Sequence, residues 1–323
     1  MSTNERLSSK ERLSSIERIT DGLGSLDYIA TSRIATSVYL AGQLEKPILV
    51  EGPAGVGKTE LAKTAAAYLD LPLTRLQCYE GLDESKALYE WKYAKQLLYT
   101  QVLKDHMGEL LTGAPTLEQS LDRLHAFDDL FFSERFLEPR PLLKSLREPH
   151  GGVLLIDEID KSDEEFEAFL LEILSDFQVT IPEIGTIEAT IRPLVILTSN
   201  GTREMSDALK RRCLHLFIPY PDRALEAQIV AARLPEVPQE LNEQLVSFVH
   251  GLRELDLRKH PSIAETIDWA KTLMLMHAGE LGADLVRDTL NVLLKFEDDI
   301  GIAEKQLGQL LATARQPYAL RSA

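Results

Sequence analysis

Eight consecutive residues, Gly52-Pro53-Ala54-Gly55-Val56-Gly57-Lys58-Thr59, follow the spacing G-x-x-x-x-G-K-[ST]. Glycines so placed let the backbone wrap closely, with its N–H groups aimed at phosphate oxygens. Lys58 would neutralise β- and γ-phosphates, and Thr59 would set its hydroxyl on Mg²⁺. A helix beginning there adds a favourable dipole. Further along, Val153-Leu154-Leu155-Ile156-Asp157-Glu158 ends an apolar run in two carboxylates. Burying such charges is costly unless something pairs with them. Beside a phosphate loop, Mg²⁺ can be that partner. Asp157 would then hold the metal through water, and Glu158 would polarise an attacking water. Leu194 to Asn200 ends another apolar run in an amide. Asn200 alone reads as a turn residue; in this company it could hold the attacking water or the γ-phosphate. Lys210, Arg211 and Arg212 crowd basic charge into one short segment. That charge suits a helix C-terminus, or a guanidinium reaching a neighbouring subunit's γ-phosphate.

These residues need elements to carry them. Pro47 to Glu51 is a short apolar run stopped by Gly52, which predicts a buried strand of a parallel sheet. A helix over Thr59 to Tyr68 follows. Further strands are expected at Leu73 to Cys78, Gly152 to Ile156, Leu194 to Leu197 and Leu214 to Ile218. Strands alternating with helices predict an α/β fold built on a five-stranded parallel sheet. Lys161 to Phe177 reads as a helix whose Phe166, Phe169, Leu170, Ile173, Leu174 and Phe177 form a core stripe. Residues 95–145 exceed what a compact sheet needs between two strands and read as an insertion, helical over Ala94 to Leu111 and Leu117 to Phe132. Within the alternation Tyr89-Glu90-Trp91-Lys92-Tyr93, a strand would place three aromatics on one face, either as packing or as a contact surface.

Pro219-Tyr220-Pro221-Asp222 is a breaker cluster, after which strand signals stop. Arg223 to Leu234, Pro238 to Arg253, Ile263 to Met276 and Gly282 to Leu294 read as helices. The expected organisation is a polar arm at 1–20, an α/β nucleotide-binding domain at 21–222 with its insert at about 79–145, and an all-α domain at 223–323. The arm repeats Glu5-Arg6-Leu7-Ser8-Ser9 as Glu11-Arg12-Leu13-Ser14-Ser15, too little for a repeat protein. Helical patterning starts near Ile16.

The 323 residues are 44% hydrophobic and 27% charged, an ordinary balance for a globular protein. No run of residues is apolar enough for a membrane span, and the N-terminus lacks the apolar middle of a signal peptide. A cytoplasmic location is expected. Two separated cysteines, Cys78 and Cys213, make no disulfide framework, and the seven histidines show no zinc-ligand spacing. Thirty-five basic against fifty-one acidic side chains give a net charge of −16, which repels polyanions and argues against a nucleic-acid partner.

The order of phosphate loop, Asp157-Glu158, Asn200, Arg212 and a helical region resembles an AAA+ ATPase over most of residues 20–320. The resemblance implies ATP and Mg²⁺ as ligands. It makes Gly52 to Thr59 the Walker A motif, Asp157 and Glu158 Walker B, Asn200 sensor 1 and Arg212 the finger, in preference to Arg211. The segment before Walker B resembles the helix-2 insert of the MoxR branch, and Phe177 to Thr190, with Gly185 at its tip, the hairpin before sensor 1. Leu76 to Trp91, with Ala264-Glu265-Thr266-Ile267-Asp268-Trp269, resembles the MoxR subgroup associated with carbon monoxide dehydrogenase maturation. That resemblance implies a hexameric ring, a von Willebrand factor A-type partner and a molybdenum-containing metalloenzyme client. One departure stands out. Where many MoxR relatives carry a sensor-2 arginine, this chain has Pro261-Ser262-Ile263, with Arg258 and Lys259 as nearby substitutes. A nucleic-acid motor and a non-catalytic, ATP-gated adaptor are the competing readings.

Overall fold

The computed structural model describes residues 8–111, 133–182 and 184–316, with 103–111 described by their backbone alone. In chain order, the first elements are α1 (Ser9–Arg12), α2 (Ile16–Gly24), α3 (Ser32–Leu44), β1 (Ile48–Glu51), α4 (Lys58–Leu69) and β2 (Leu73–Gln77). The insert contributes α5 (Glu84–Ala87), β3 (Tyr89–Trp91), α6 (Tyr93–Leu111), β4 (Leu137–Pro139) and α7 (Pro141–Leu146). Then come β5 (Val153–Asp157), α8 (Glu164–Asp176), β6 (Gln178–Ile181), β7 (Gly185–Glu188), β8 (Leu194–Ser199), α9 (Asp207–Arg212) and β9 (Leu214–Phe217). Beyond them lie α10 (Arg223–Arg233), α11 (Gln239–Arg253), α12 (Ile263–Leu275), α13 (Ala283–Leu293) and α14 (Glu297–Ala314). The expected helix over Leu117 to Phe132 lies outside the described residues.

Five strands form one parallel sheet in the order β2-β5-β8-β1-β9. Both faces are covered, which is why these strands read as continuous apolar runs. Ile48, Val50, Val153, Leu155 and Ile196 pack with α2, α3 and α4 on one face. Their alternates, among them Leu49, Leu154, Ile156 and Leu197, pack with α8 and the insert on the other. All of these side chains are buried. Parallel pairing brings the C-terminal ends of β1, β5 and β8 to one edge, and the connections that leave this edge carry the polar residues.

The predicted stripe on α8 is observed: Phe166, Leu170, Ile173 and Leu174 are buried, while Asp163 caps the helix by accepting from the Phe166 N–H at 2.8 Å. The N-terminal segment expected as a polar arm is helical from Ser9, and its residue Ile19 is fully buried beside Leu23. Tyr68 ties this segment to α4 by donating to the Arg12 carbonyl at 2.7 Å. The aromatic alternation differs from the expected three-residue face. Tyr89 and Trp91 lie on β3 and meet edge to face at 5.9 Å, but Tyr93 begins α6 and is exposed. The chain turns from strand to helix at Lys92, which breaks the two-residue period.

The helices after Asp222 build a separate core around Phe248 and Trp269, which are both fully buried. Helix α14 lies outside the predicted set. Its stripe of Ala303, Leu307, Leu310, Leu311 and Ala314 is regular, but Gly301, Gly308 and a first turn of Glu297, Asp298 and Asp299 dilute it.

Leu155 sits inside the sheet on β5, between β2 and β8, and is fully buried. Leu155→Ala should therefore cost about 2–5 kcal/mol in urea unfolding, because the packed neighbours cannot close the cavity. Leu275→Ser, at an exposed site, should stay within about 0.5 kcal/mol. Equal losses would contradict this placement of the core.

Candidate active site

The turn between β1 and α4 wraps around a lysine. Lys58 is the first residue of α4, only 6% exposed, and its ammonium donates to the carbonyls of Gly52 at 2.7 Å and Pro53 at 2.6 Å and to Asn200 Oδ1 at 2.8 Å. Burial pulls its pKa below the usual lysine value, and the charges of Asp160, Asp157 and Glu158 oppose that shift. Gly52 has no room for a side chain, since a Cβ there would overlap the Ile218 carbonyl of the chain leaving β9. Gly55 and Gly57 both have positive φ, a conformation that glycine adopts without strain.

The end of β5 faces this loop. Asp157, buried on the last residue of that strand, accepts from Thr59 Oγ1 at 3.0 Å, Thr198 Oγ1 at 2.5 Å and Arg75 Nη2 at 2.6 Å. Glu158 leaves the strand in the left-handed region, φ 57°, a strained choice for a side chain of this size. That turn throws its carboxylate toward Gln77 Nε2 at 2.8 Å and Lys161 Nζ at 2.6 Å, with Asn200 Nδ2 at 3.5 Å. Asn200 itself is held from behind: buried Asp160 accepts from the backbone N–H groups of Asn200 at 3.2 Å and Thr202 at 2.9 Å. Its other oxygen, Asp160 Oδ1, is buried without a protein partner.

Lys58, Thr59, Asp157, Glu158 and Asn200 therefore converge, as the sequence predicts. They line a cleft of about 880 Å³. Its remaining wall is largely apolar, with Tyr28, Ile29, Pro219, Pro221, Ile229 and Ile267 among its residues. This pairs a polar end that suits phosphates with an apolar end that suits a flat base. Hard oxygen donors, the Thr59 hydroxyl and the Asp157 carboxylate, lie side by side, a fit for Mg²⁺. Among the described residues no group of three or more His, Cys, Asp or Glu side chains could hold a metal unaided, so a metal here would arrive with phosphates as its further ligands. Burial pushes the Cys78 thiol, behind Asp157, up to about 12, which leaves it inert.

Two predicted sets lie elsewhere. Arg212 does not line the cleft of its own chain; exposed at the end of α9, it donates through Nε to Ser175 Oγ at 2.6 Å. Arg258 and Lys259 do not line it either. Their backbone N–H groups bind buried Asp299 at 2.9 and 3.2 Å, and the Arg258 guanidinium stacks on Phe296. The cations that the helical region does turn to the cleft are Arg233 and Lys271. Sequence reasoning also missed Arg75, Gln77, Asp160 and Thr198. Asp160 was the most accessible of these, two residues beyond Glu158. Arg75 and Gln77 become visible only once β2 is paired with β5.

Comparison with known proteins bears on the same stretch. The family model described as an AAA domain of the dynein-related subfamily matches residues 47–213. An uncharacterized protein of Staphylococcus haemolyticus is 29% identical over 219 residues, covering 66% of this chain and 70% of its own. A Staphylococcus epidermidis protein is 27% identical over 220 residues, with 66% and 70% covered. A solved structure of an ATPase candidate from Cytophaga hutchinsonii aligns over 94% of this chain and 96% of that one, with a TM-score of 0.46 and 15% identity. No helix among the described residues is long and apolar enough to cross a membrane. The family match spans more than half of the chain and takes in the phosphate loop, both carboxylates and Asn200, and on that match the protein belongs to the AAA ATPases, in the dynein-related subfamily.

Proposed function

We propose that this protein hydrolyses Mg-ATP as a ring-forming AAA+ machine of the MoxR type and spends the energy on remodelling a metalloenzyme client. The observation that carries the catalytic half is the convergence of Lys58, Thr59, Asp157, Glu158 and Asn200 at one sheet edge. In this reading Lys58 exchanges carbonyl partners for phosphate oxygens. Thr59 and Asp157 hold Mg²⁺, which when bound neutralises charge on the phosphates. Glu158 takes a proton from water after leaving Gln77 and Lys161. Asn200 orients that water or the γ-phosphate, with Asp160 fixing its backbone.

The ring half rests on Arg212. An exposed guanidinium away from its own cleft can complete the cleft of a neighbour by releasing Ser175, which in this reading makes the active site a property of two subunits. The client half rests on the likeness of Leu76 to Trp91 and of Ala264 to Trp269 to the maturation subgroup. A von Willebrand factor A-type partner and a molybdenum hydroxylase, such as carbon monoxide dehydrogenase, follow from that likeness.

Glu158→Gln should keep ATP binding within a few-fold and lower turnover by about 10²–10⁴, the usual contribution of a general base. Unchanged turnover would remove Glu158 from the chemistry. Tagged, the same variant should trap clients from the native host in the presence of Mg-ATP and release them without it. Recovery of nuclease-sensitive complexes instead of molybdenum enzymes would favour a nucleic-acid motor.

Arg212→Ala should bind ATP normally and lose about 10³–10⁵ in turnover. Mixing it with Glu158→Gln subunits should restore part of the activity, because each partner supplies what the other lacks. Failure of the mixture to recover any activity would count against an arginine acting between subunits.

A further inference from the structure

A fully buried carboxylate in the helical region has no place in the chemistry proposed above. Glu226, on α10, has no exposed surface. Arg253 of α11 grips it with both guanidinium ends, Nη1 to Oε2 at 2.6 Å and Nη2 to Oε1 at 2.9 Å. His250 Nε2 lies 2.9 Å from Oε2, and Thr266 Oγ1 of α12 lies 2.8 Å from Oε1. Three helices therefore meet on one charge. Burial pushes the Glu226 carboxyl up, but the hydrogen bonds from His250, Arg253 and Thr266 and the charge of Arg253 prevail and hold it below its usual value.

The same side chains reach toward the phosphate loop. Arg253 Nε donates to the Pro261 carbonyl at 2.8 Å, and its guanidinium lies over the Tyr220 ring at 4.8 Å, in the segment that links β9 to α10. Thr266 Oγ1 is 3.0 Å from the Ser262 carbonyl. Ser262 caps α12 together with Glu265 and sits directly against Gly55, so closely that a Cβ on Gly55 would overlap its hydroxyl. One more bond crosses between the two regions, from Arg233 on α10 to Glu60, the residue after Thr59, at 2.7 Å.

We propose that Glu226 and Arg253 are positioning residues that hold the first turn of α12 against the phosphate loop, so that nucleotide in the loop is sensed by the whole helical region. The inference rests on the cleft being the nucleotide site. A buried ionic network is weak evidence for stability as such, since an apolar replacement often serves as well. It is well suited to fixing one arrangement of helices, because its directional bonds fail together. Movement of Gly55 around a phosphate must displace Ser262, and Ser262 cannot shift without disturbing Thr266 and, through Pro261, Arg253.

The test is hydrogen exchange across Ser262 to Thr266 with and without a fluorescent ATP analogue, together with binding and turnover. In the unmodified protein, nucleotide should slow exchange there by about tenfold, within the range of ordinary site-to-site coupling. Arg253→Lys keeps the charge but loses the planar fork. It should bind the analogue with similar affinity, lose most of that response, and lower kcat with little change in KM. Glu226→Gln should behave likewise. Should the single variants fail to fold, Glu226→Leu combined with His250→Leu and Arg253→Met removes the whole network without leaving a charge unpaired. A folded variant with the full exchange response and normal kcat would overturn the proposal. So would an unmodified protein that binds the analogue with no response at Ser262 to Thr266. If the unmodified protein bound no analogue at all, the reading of the cleft would fall first, and the coupling with it.

Discussion

A buried ammonium is the constraint around which this molecule is arranged. Lys58 is nearly out of water at the start of α4, where desolvation disfavours its charge. Three acceptors offset that cost, two from the backbone of the loop itself and one from a side chain of another strand. The Gly52 and Pro53 carbonyls turn inward only because the loop curls back on the lysine, and Gly52 can do so only without a Cβ. Asn200 arrives from the end of β8, the strand that lies between β5 and β1. The order of strands is thus what supplies the third acceptor, and the same order sets Asp157 and Glu158 close by as countercharges. A phosphate entering the loop would replace neutral acceptors with anionic ones, a better match for the buried charge.

Much of this was legible before folding. The phosphate loop, the two carboxylates and the five strands are local patterns, each readable within a dozen residues or fewer. What escaped depends on pairing between distant segments. Arg75 and Gln77 look like ordinary polar residues on an edge strand until β2 lies beside β5, when they become partners of Asp157 and Glu158. Tyr93 falls outside the expected face because the strand ends at Trp91, two residues short of it. Helix α14 was lost because two glycines and three acids hid a regular stripe.

The missed helix and the misdirected cations have one cause. Asp299, in the first turn of α14, is the buried carboxylate that clamps the backbone at Arg258 and Lys259. Phe296, just before that turn, takes the Arg258 guanidinium. Proximity in sequence to Ile263 suggested that these cations serve the cleft. The helix that prevents it was absent from the pattern, so its influence could not be weighed.

The helical region is therefore organised by two buried carboxylates with different consequences. Asp299 fixes a loop away from the cleft and is satisfied by backbone N–H groups, which no change of side chain in that loop removes. Glu226 is satisfied by side chains from two other helices, and those side chains also hold the Pro261 carbonyl and approach that of Ser262. The first arrangement is local and self-contained. The second passes through the contact between Ser262 and Gly55, and so bears directly on the loop that encloses Lys58. A fold in which the phosphate loop and the helical core meet at a glycine with no free space cannot rearrange one without moving the other. That steric fact, more than any single bond in the cleft, joins the nucleotide end of the molecule to its helices.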